Sequence, residues 1–167
     1  ATILREPTWL DVMLDRILTW RASPKDMMEL SMKTQSVSEA VYGAIDRFNS
    51  MVQADELTLS SLIDTQLCVQ PDSKALNAVI LNLLTNAYKY TSKQKEISVS
   101  AQDRDNHVVI EVKDNGIGLT PDEAKHIFQP FYRAELSNRQ ETGGVGLGLA
   151  IARHLIVQHK GTISVSS

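Results

Sequence analysis

The chain has 167 residues, 43% of them hydrophobic, and a formal net charge of −3. That suffices for one domain with a real core plus a short appendage, and it gives no electrostatic footprint for nucleic acid or an anionic membrane. Cys68 is the single cysteine, which excludes an intrachain disulfide or a cysteine metal cage and favours a reducing compartment.

Charged or polar residues interrupt every apolar run well before the ~20 residues a membrane helix needs, and no secretory leader is visible. The chain opens at Ala1 without a methionine and stops inside the strand-like run Thr162-Ile-Ser-Val-Ser. It is therefore expected to be a piece of a longer protein. Residues 7–22 carry a helical pattern, with Pro7 in the first turn and Leu10, Leu14, Ile17 and Leu18 on one face. Trp9, Met13 and Trp20 widen that face. Two readings stay open: a helix packed on the following domain, or the end of a helix that pairs with a partner helix. Ser23-Pro24 marks a linker.

From Lys33 onward the pattern is that of an α/β sandwich. Ser36-Val-Ser-Glu39 reads as a capping box before Val41, Ala44, Ile45, Phe48 and Val52 at helical spacing. Strand-like runs follow near Leu57–Ile63 and Thr65–Gln70. Asp72 is placed to cap a long helix with the apolar stripe Leu76, Val79, Ile80, Leu83, Leu84 and Ala87. Glu96–Gln102 and His107–Asp114 are expected to form a hairpin across Asp103–Asn106. Thr120-Pro-Asp-Glu123 is a second capping box, and a last helix near Leu147–His159 should end at Gly161 before a strand. The elements do not alternate as regular βαβ units, so the expectation is an α+β fold with a mixed sheet and helices on one face.

Six of the eight glycines lie in Asp114-Asn-Gly-Ile-Gly118 and Gly143-Gly-Val-Gly-Leu-Gly-Leu149, on either side of a polar, aromatic segment. Such hinges suggest a lid over a ligand, and the second cluster leads into a helix whose first amides would face an anion. Two familiar phosphate loops fail, however. Leu149 stands where a P-loop needs lysine after Gly148, and also where a dinucleotide fingerprint begun at Gly144 needs glycine.

Two further groups bear on the chemistry. Asn82, Asn86 and Lys89 share a stripe along the edge of the apolar helix face. Carboxamide oxygens suit Mg²⁺, although a solvated face carrying asparagines by chance would look the same. Asp114 continues the inward face of Val108, Ile110 and Val112. A carboxylate there needs a donor, such as an exocyclic amine; taken alone, an ordinary Asp-Asn-Gly turn explains it equally well.

Taken in order, these segments resemble the catalytic and ATP-binding domain of sensor histidine kinases. Asn82-Leu-Leu-Thr-Asn-Ala-Tyr-Lys-Tyr-Thr91 resembles that family's asparagine box, Asp114–Gly118 its first glycine box, Phe128-Gln-Pro-Phe-Tyr-Arg133 its phenylalanine box, and Gly144–Leu149 its second glycine box. The similarity runs from about Lys33 to Ser167 and implies a two-layer sandwich of the histidine-kinase ATPase (Bergerat) type. It implies that Asn86 holds Mg²⁺, with Asn82 assisting at the phosphates, Lys89 pairing with phosphate charge and Tyr90 lining the pocket. Asp114 would read the adenine amine, with Gly116 and Gly118 permitting close approach. Phe128 and Phe131 would anchor the lid base, while Tyr132 and Arg133 contact nucleotide, Arg133 neutralising charge on the γ-phosphate. Backbone at Gly144, Val145, Gly146, Leu147, Gly148 and Leu149 would cradle the polyphosphate. Val145 departs from the Thr or Ser common in the family, a loss of about 1 kcal/mol.

Related ATPases and serine kinases of this fold carry a glutamate base where this chain has Asn82, which accepts no proton at neutral pH. The resemblance therefore implies histidine autokinase chemistry rather than hydrolysis, with a non-catalytic ATP-binding regulatory module, or a serine kinase or ATPase of the same fold, as the rival readings. None of His107, His126, His154 and His159 has the context of a phosphoacceptor. Residues 1–32 are thus expected to be the end of a dimerisation and phosphoacceptor helix plus linker, and 33–167 the catalytic domain. The implied partners are that helical domain, a response regulator and, in the full-length protein, a second copy. The implied location is the cytoplasm, without nucleic acid or direct membrane contact.

Overall fold

A computed structural model describes residues 35–52, 57–65, 68–69, 73–91, 94–105, 107–134 and 145–167. The expectations for residues 1–32, for Asp72 and for Gly144 fall outside these residues. Strand β1 (Gln35–Ser36) leads into helix α1 (Val37–Met51). Strands β2 (Leu57–Asp64) and β3 (Cys68–Val69) follow, then helix α2 (Ser73–Tyr90). The hairpin strands are β4 (Lys95–Arg104) and β5 (His107–Asp114), and the chain continues through α3 (Pro121–His126) and α4 (Gly148–Gln158).

The principal sheet has the order β2-β4-β5. β2 runs parallel to β4, so the chain must cross over between them, and α2 lies in that crossover. β4 and β5 are antiparallel, with Ile97 opposite Asp114, Val99 opposite Val112 and Ala101 opposite Ile110. The sheet is mixed, as the sequence predicts. Ile97, Val99 and Ala101 are buried on one face, against Val41, Ala44, Ile45 and Phe48 of α1 and Leu76, Ile80 and Leu84 of α2. The alternate strand residues Thr58, Ser60, Glu111 and Lys113 are exposed. This is the two-layer arrangement, with both long helices on one face.

Several local details differ from the sequence reading. Ser36 stands at the N-cap of α1 but makes no side-chain cap bond, while Ser38 Oγ donates to Thr65 O instead. Leu83 is only half-buried, and Leu81 joins the core in its place. The hairpin extends past Gln102 to Arg104, paired with His107. It closes with Asp105 at φ 52°, the left-handed conformation that a tight hairpin turn demands.

The end of α4 carries a correction. Lys160, not Gly161, takes the left-handed position, at φ 59°. Lys160 N donates to Val157 O and Gly161 N to Ile156 O, each at 2.9 Å, which is the paired closure of a Schellman cap. The strand expected after Gly161 is not formed among the described residues, because nothing there pairs with 162–167. Ser167 Oγ instead accepts from Leu119 N at 2.7 Å.

Candidate functional site

The crossover carries the C-terminal half of α2 to the edge where β5 ends. There three glycines stand where the backbone comes too close to another group to leave room for a side chain. A Cβ built on Gly116 would lie 2.7 Å from Tyr90 O and 2.6 Å from Asp114 Oδ1. The loop after β5 can therefore seat against the end of α2 only with glycine at that position. Ile117 N then donates to Tyr90 O at 3.2 Å, fastening the first glycine cluster to the helix. Asn115 clamps the other side, accepting from Glu96 N at 2.9 Å and donating to Gln94 O at 3.0 Å.

The second glycine cluster makes two such contacts. Gly146, at φ 74°, leaves no room for a side chain, since its Cβ would lie 2.7 Å from Tyr132 O and 2.8 Å from the Phe131 carbonyl carbon. Phe131 N donates to Gly146 O at 2.9 Å. Gly148 opens α4 directly against α2, where a Cβ would meet Asn82 Oδ1 at 2.3 Å. These contacts join the second glycine cluster to the Phe128–Arg133 segment and to the asparagine helix. The first glycine cluster reaches the same helix at its far end. Segments far apart in sequence thus converge on α2.

The asparagine stripe is graded in depth. Asn82 is 2% exposed, and among the described residues its Nδ2 has no hydrogen-bond partner, whereas Asn86 is half-buried and Lys89 exposed. A solvated face carrying asparagines by chance does not describe Asn82. Tyr90 is half-buried at the end of the helix. Asp114 is exposed rather than entering the core edge; it stands opposite buried Ile97 at the rim and accepts from Gly116 N at 2.8 Å. One carboxylate oxygen is thereby anchored, and acceptor capacity remains for an incoming donor.

The lid-side residues rest on a short capped helix. Thr120 Oγ1 accepts from Glu123 N at 3.2 Å while Glu123 Oε2 accepts from Thr120 N at 2.8 Å, completing the expected capping box before Pro121. His126, the last residue of that helix, lies with its Nδ1 2.8 Å from Asp122 O and its ring 5.6 Å from the Tyr132 ring. Phe128 is half-buried, with the Arg153 guanidinium of α4 6.0 Å from its centroid. Phe131 departs from its expected anchoring role, being 66% exposed at φ 66°. Tyr132 and Arg133 are half-buried. Val145 is exposed, while Leu147, Gly148 and Leu149 are half-buried around the start of α4. Gly118, at φ 70°, packs on Ser167 Oγ rather than on α2.

Two contributors were not singled out in the sequence. Lys95 Nζ donates to Tyr88 O at 2.9 Å and to Thr91 O, and lies 4.6 Å from the Tyr88 ring centroid, closing the C-terminus of α2. A basic residue just beyond a helix end is the available signal for such a cap. Thr91 ends the quoted asparagine segment, and its burial against Gly116 has no local sequence signature.

A family described as histidine kinase-, DNA gyrase B-, and HSP90-like ATPase matches residues 71–167. The sensor histidine kinase RppB of Synechocystis sp. is 33% identical over 132 residues, covering 78% of this chain and 29% of that protein. A mycobacterial sensor histidine kinase, MprB, superposes with a TM-score of 0.67 at 25% identity, covering 77% of this chain and 80% of that one. Full-length ShkA in complex with AMPPNP gives a TM-score of 0.71 at 25% identity over 84% of this chain and 29% of that one. The chain spans about a third of the length of the curated relatives it matches.

Proposed function

This chain belongs to the histidine kinase-, DNA gyrase B- and HSP90-like ATPase family, and from that premise we propose that it is the ATP-binding catalytic domain of a two-component sensor histidine kinase. It transfers the γ-phosphoryl of Mg·ATP to a histidine on an adjacent helical domain, for relay to an aspartate of a response regulator. The observation that carries this reading is the convergence on α2. Asp114 and Gly116 meet its C-terminal end, and Gly148 meets Asn82 one turn before Asn86.

In this reading Asp114 accepts from the adenine amine, with Gly116 and Gly118 keeping the loop close. Tyr90 lines the base side of the pocket. Lys89, Tyr132 and Arg133 meet the nucleotide's polar end, and backbone from Gly144 through Val145, Gly146, Leu147 and Gly148 to Leu149 cradles the polyphosphate, aided by the positive end of α4. The half-buried Asn86 carboxamide, one turn beyond the Asn82 that packs on Gly148, offers an oxygen of the kind a hard cation takes. Asn86 would hold Mg²⁺, which when bound supplies positive charge against the polyphosphate.

Asn82 supports transfer over hydrolysis. Its amide is buried and cannot take a proton from water at neutral pH. A neutral imidazole needs no such base, being nucleophilic near pH 7. We assign residues 1–32 to the end of the acceptor helix and its linker, and we expect the full-length protein to dimerise through that domain. The cytoplasm is the assigned location, since it supplies ATP. Among the described residues no helix is long and apolar enough to cross a membrane.

The test mixes this domain with Mg·ATP and a separately made acceptor domain bearing the histidine. Acid-labile, base-stable phosphate on that histidine is the expected product. ATP binding without any transfer would favour the regulatory module, and ATP affinity unchanged in Asp114→Asn and Asn86→Asp would overturn the site.

A further inference from the structure

Thr91 follows directly after α2 and is 3% exposed. Lys95 holds its backbone carbonyl, yet among the described residues the buried Thr91 hydroxyl has no hydrogen-bond partner. Buried hydroxyls are seldom left unpaired, so the surroundings of this one indicate its use. A Cβ built on Gly116 would lie 3.1 Å from Thr91 Oγ1 and 2.6 Å from Asp114 Oδ1. The buried hydroxyl and the exposed carboxylate therefore both border the empty Cβ position of Gly116. The carboxylate takes one bond from Gly116 N and keeps unused lone pairs, while a threonine hydroxyl is a donor that can rotate to meet one.

We propose that Thr91 is a positioning residue for Asp114: its hydroxyl, which makes no bond to the carboxylate in this structure, closes on it and donates when the carboxylate engages an exocyclic amine of the nucleobase, fixing the orientation in which Asp114 accepts. The inference rests on the reading of Asp114 as the group that recognises adenine. Thr91 itself does not touch the nucleotide. Gly116 is what permits the pairing, because any side chain there would wedge the two groups apart.

The test measures Kd by calorimetry, with Mg²⁺ present, for ATP and for purine riboside triphosphate, which lacks the exocyclic amine. Thr91→Val removes the donor and nearly keeps the shape, whereas Thr91→Ser keeps the donor. Thr91→Val is expected to weaken ATP by about fivefold, the scale of one net hydrogen bond, and to leave the amine-free nucleotide unchanged. Thr91→Ser should match wild type. ATP binding unaffected by Thr91→Val overturns the proposal, and so does equal weakening of both nucleotides, the mark of a merely structural role. If wild type binds both nucleotides equally, the Asp114 reading fails and the inference fails with it. A null effect confined to Thr91→Val leaves the Asp114 reading intact. Should the valine variant not fold, Thr91→Ala set against Thr91→Ser is judged by the same criteria.

Discussion

The carboxamide of Asn82 fills the space in which a side chain on Gly148 would begin, its Oδ1 lying 2.3 Å from the position of that Cβ. Both positions are constrained by packing, Asn82 because it is 2% exposed on the inner edge of α2 and Gly148 because it is the first residue of α4. Gly148→Ala must push either the asparagine or the start of α4 aside. Overpacking of this kind costs about 1–3 kcal/mol, and it displaces the amides proposed to receive phosphate. The expected result in calorimetry is an ATP Kd raised about tenfold or more, with a lowered Tm. Adding Asn82→Ala vacates the space, so the double variant should be more stable than the sum of the two single changes predicts. Strict additivity would show that the contact does not couple the two helices.

Lys95 acts at the other end of α2. Its ammonium donates to the carbonyls of Tyr88 and Thr91, groups that a helix C-terminus leaves without intrahelical partners. Lys95→Met retains most of the aliphatic stem over Tyr88 but removes the donor. Chemical denaturation should show a loss of about 1–3 kcal/mol, the cost of leaving such acceptors unpaired. Hydrogen exchange should localise the loosening to the last turn of α2 and to Ile117 N, which donates to Tyr90 O. A change spread evenly over the sheet would contradict a capping role.

Asn82 and Lys160 show where sequence was legible and where it was not. Helical spacing correctly placed Asn82, Asn86 and Lys89 on one stripe, because a 3.6-residue period is a local property. That Asn82 is buried depends on α4 arriving over it, a contact between segments remote in sequence, which no local pattern encodes. Lys160 shows the same division. Gly161 correctly marks the end of α4, but lysine takes the left-handed position while glycine donates the outer bond of the cap. The mixed sheet was legible because the elements do not alternate as regular βαβ units, and the hairpin from the alternation in β4 and β5. The exposure of Asp114 was not, since it sits at the rim, where an inward face runs out.

The Thr120 capping box carries the segment from the first glycine cluster to Tyr132. Thr120→Ala removes the acceptor for Glu123 N and should cost about 1 kcal/mol, within the usual range for an N-cap. Because α3 has only six residues, the loss should appear as local fraying. Faster amide exchange at Ala124 and Ile127, which donate to Thr120 O and Glu123 O, is the signature. Unchanged exchange there would mean that packing, and not the cap, holds α3.

Gly146 and Val145 are neighbours with opposite expectations. Gly146 has φ 74°, and a Cβ on it would meet backbone atoms of Phe131 and Tyr132, which cannot rotate away. Gly146→Ala therefore combines backbone strain with a clash, and it should cost at least about 1–3 kcal/mol. The hydrogen bond from Phe131 N to Gly146 O should be lost with it, visible as rapid exchange at Phe131. Val145 is 51% exposed, so Val145→Thr should leave the unfolding free energy within about 0.5 kcal/mol of wild type. The hydroxyl it adds would face the proposed polyphosphate, where one hydrogen bond is worth about 0.5–1.5 kcal/mol. ATP should then bind about two- to tenfold more tightly, with the gain absent for adenosine. An equal gain for adenosine would place Val145 beside the base and require the second glycine cluster to be reassigned.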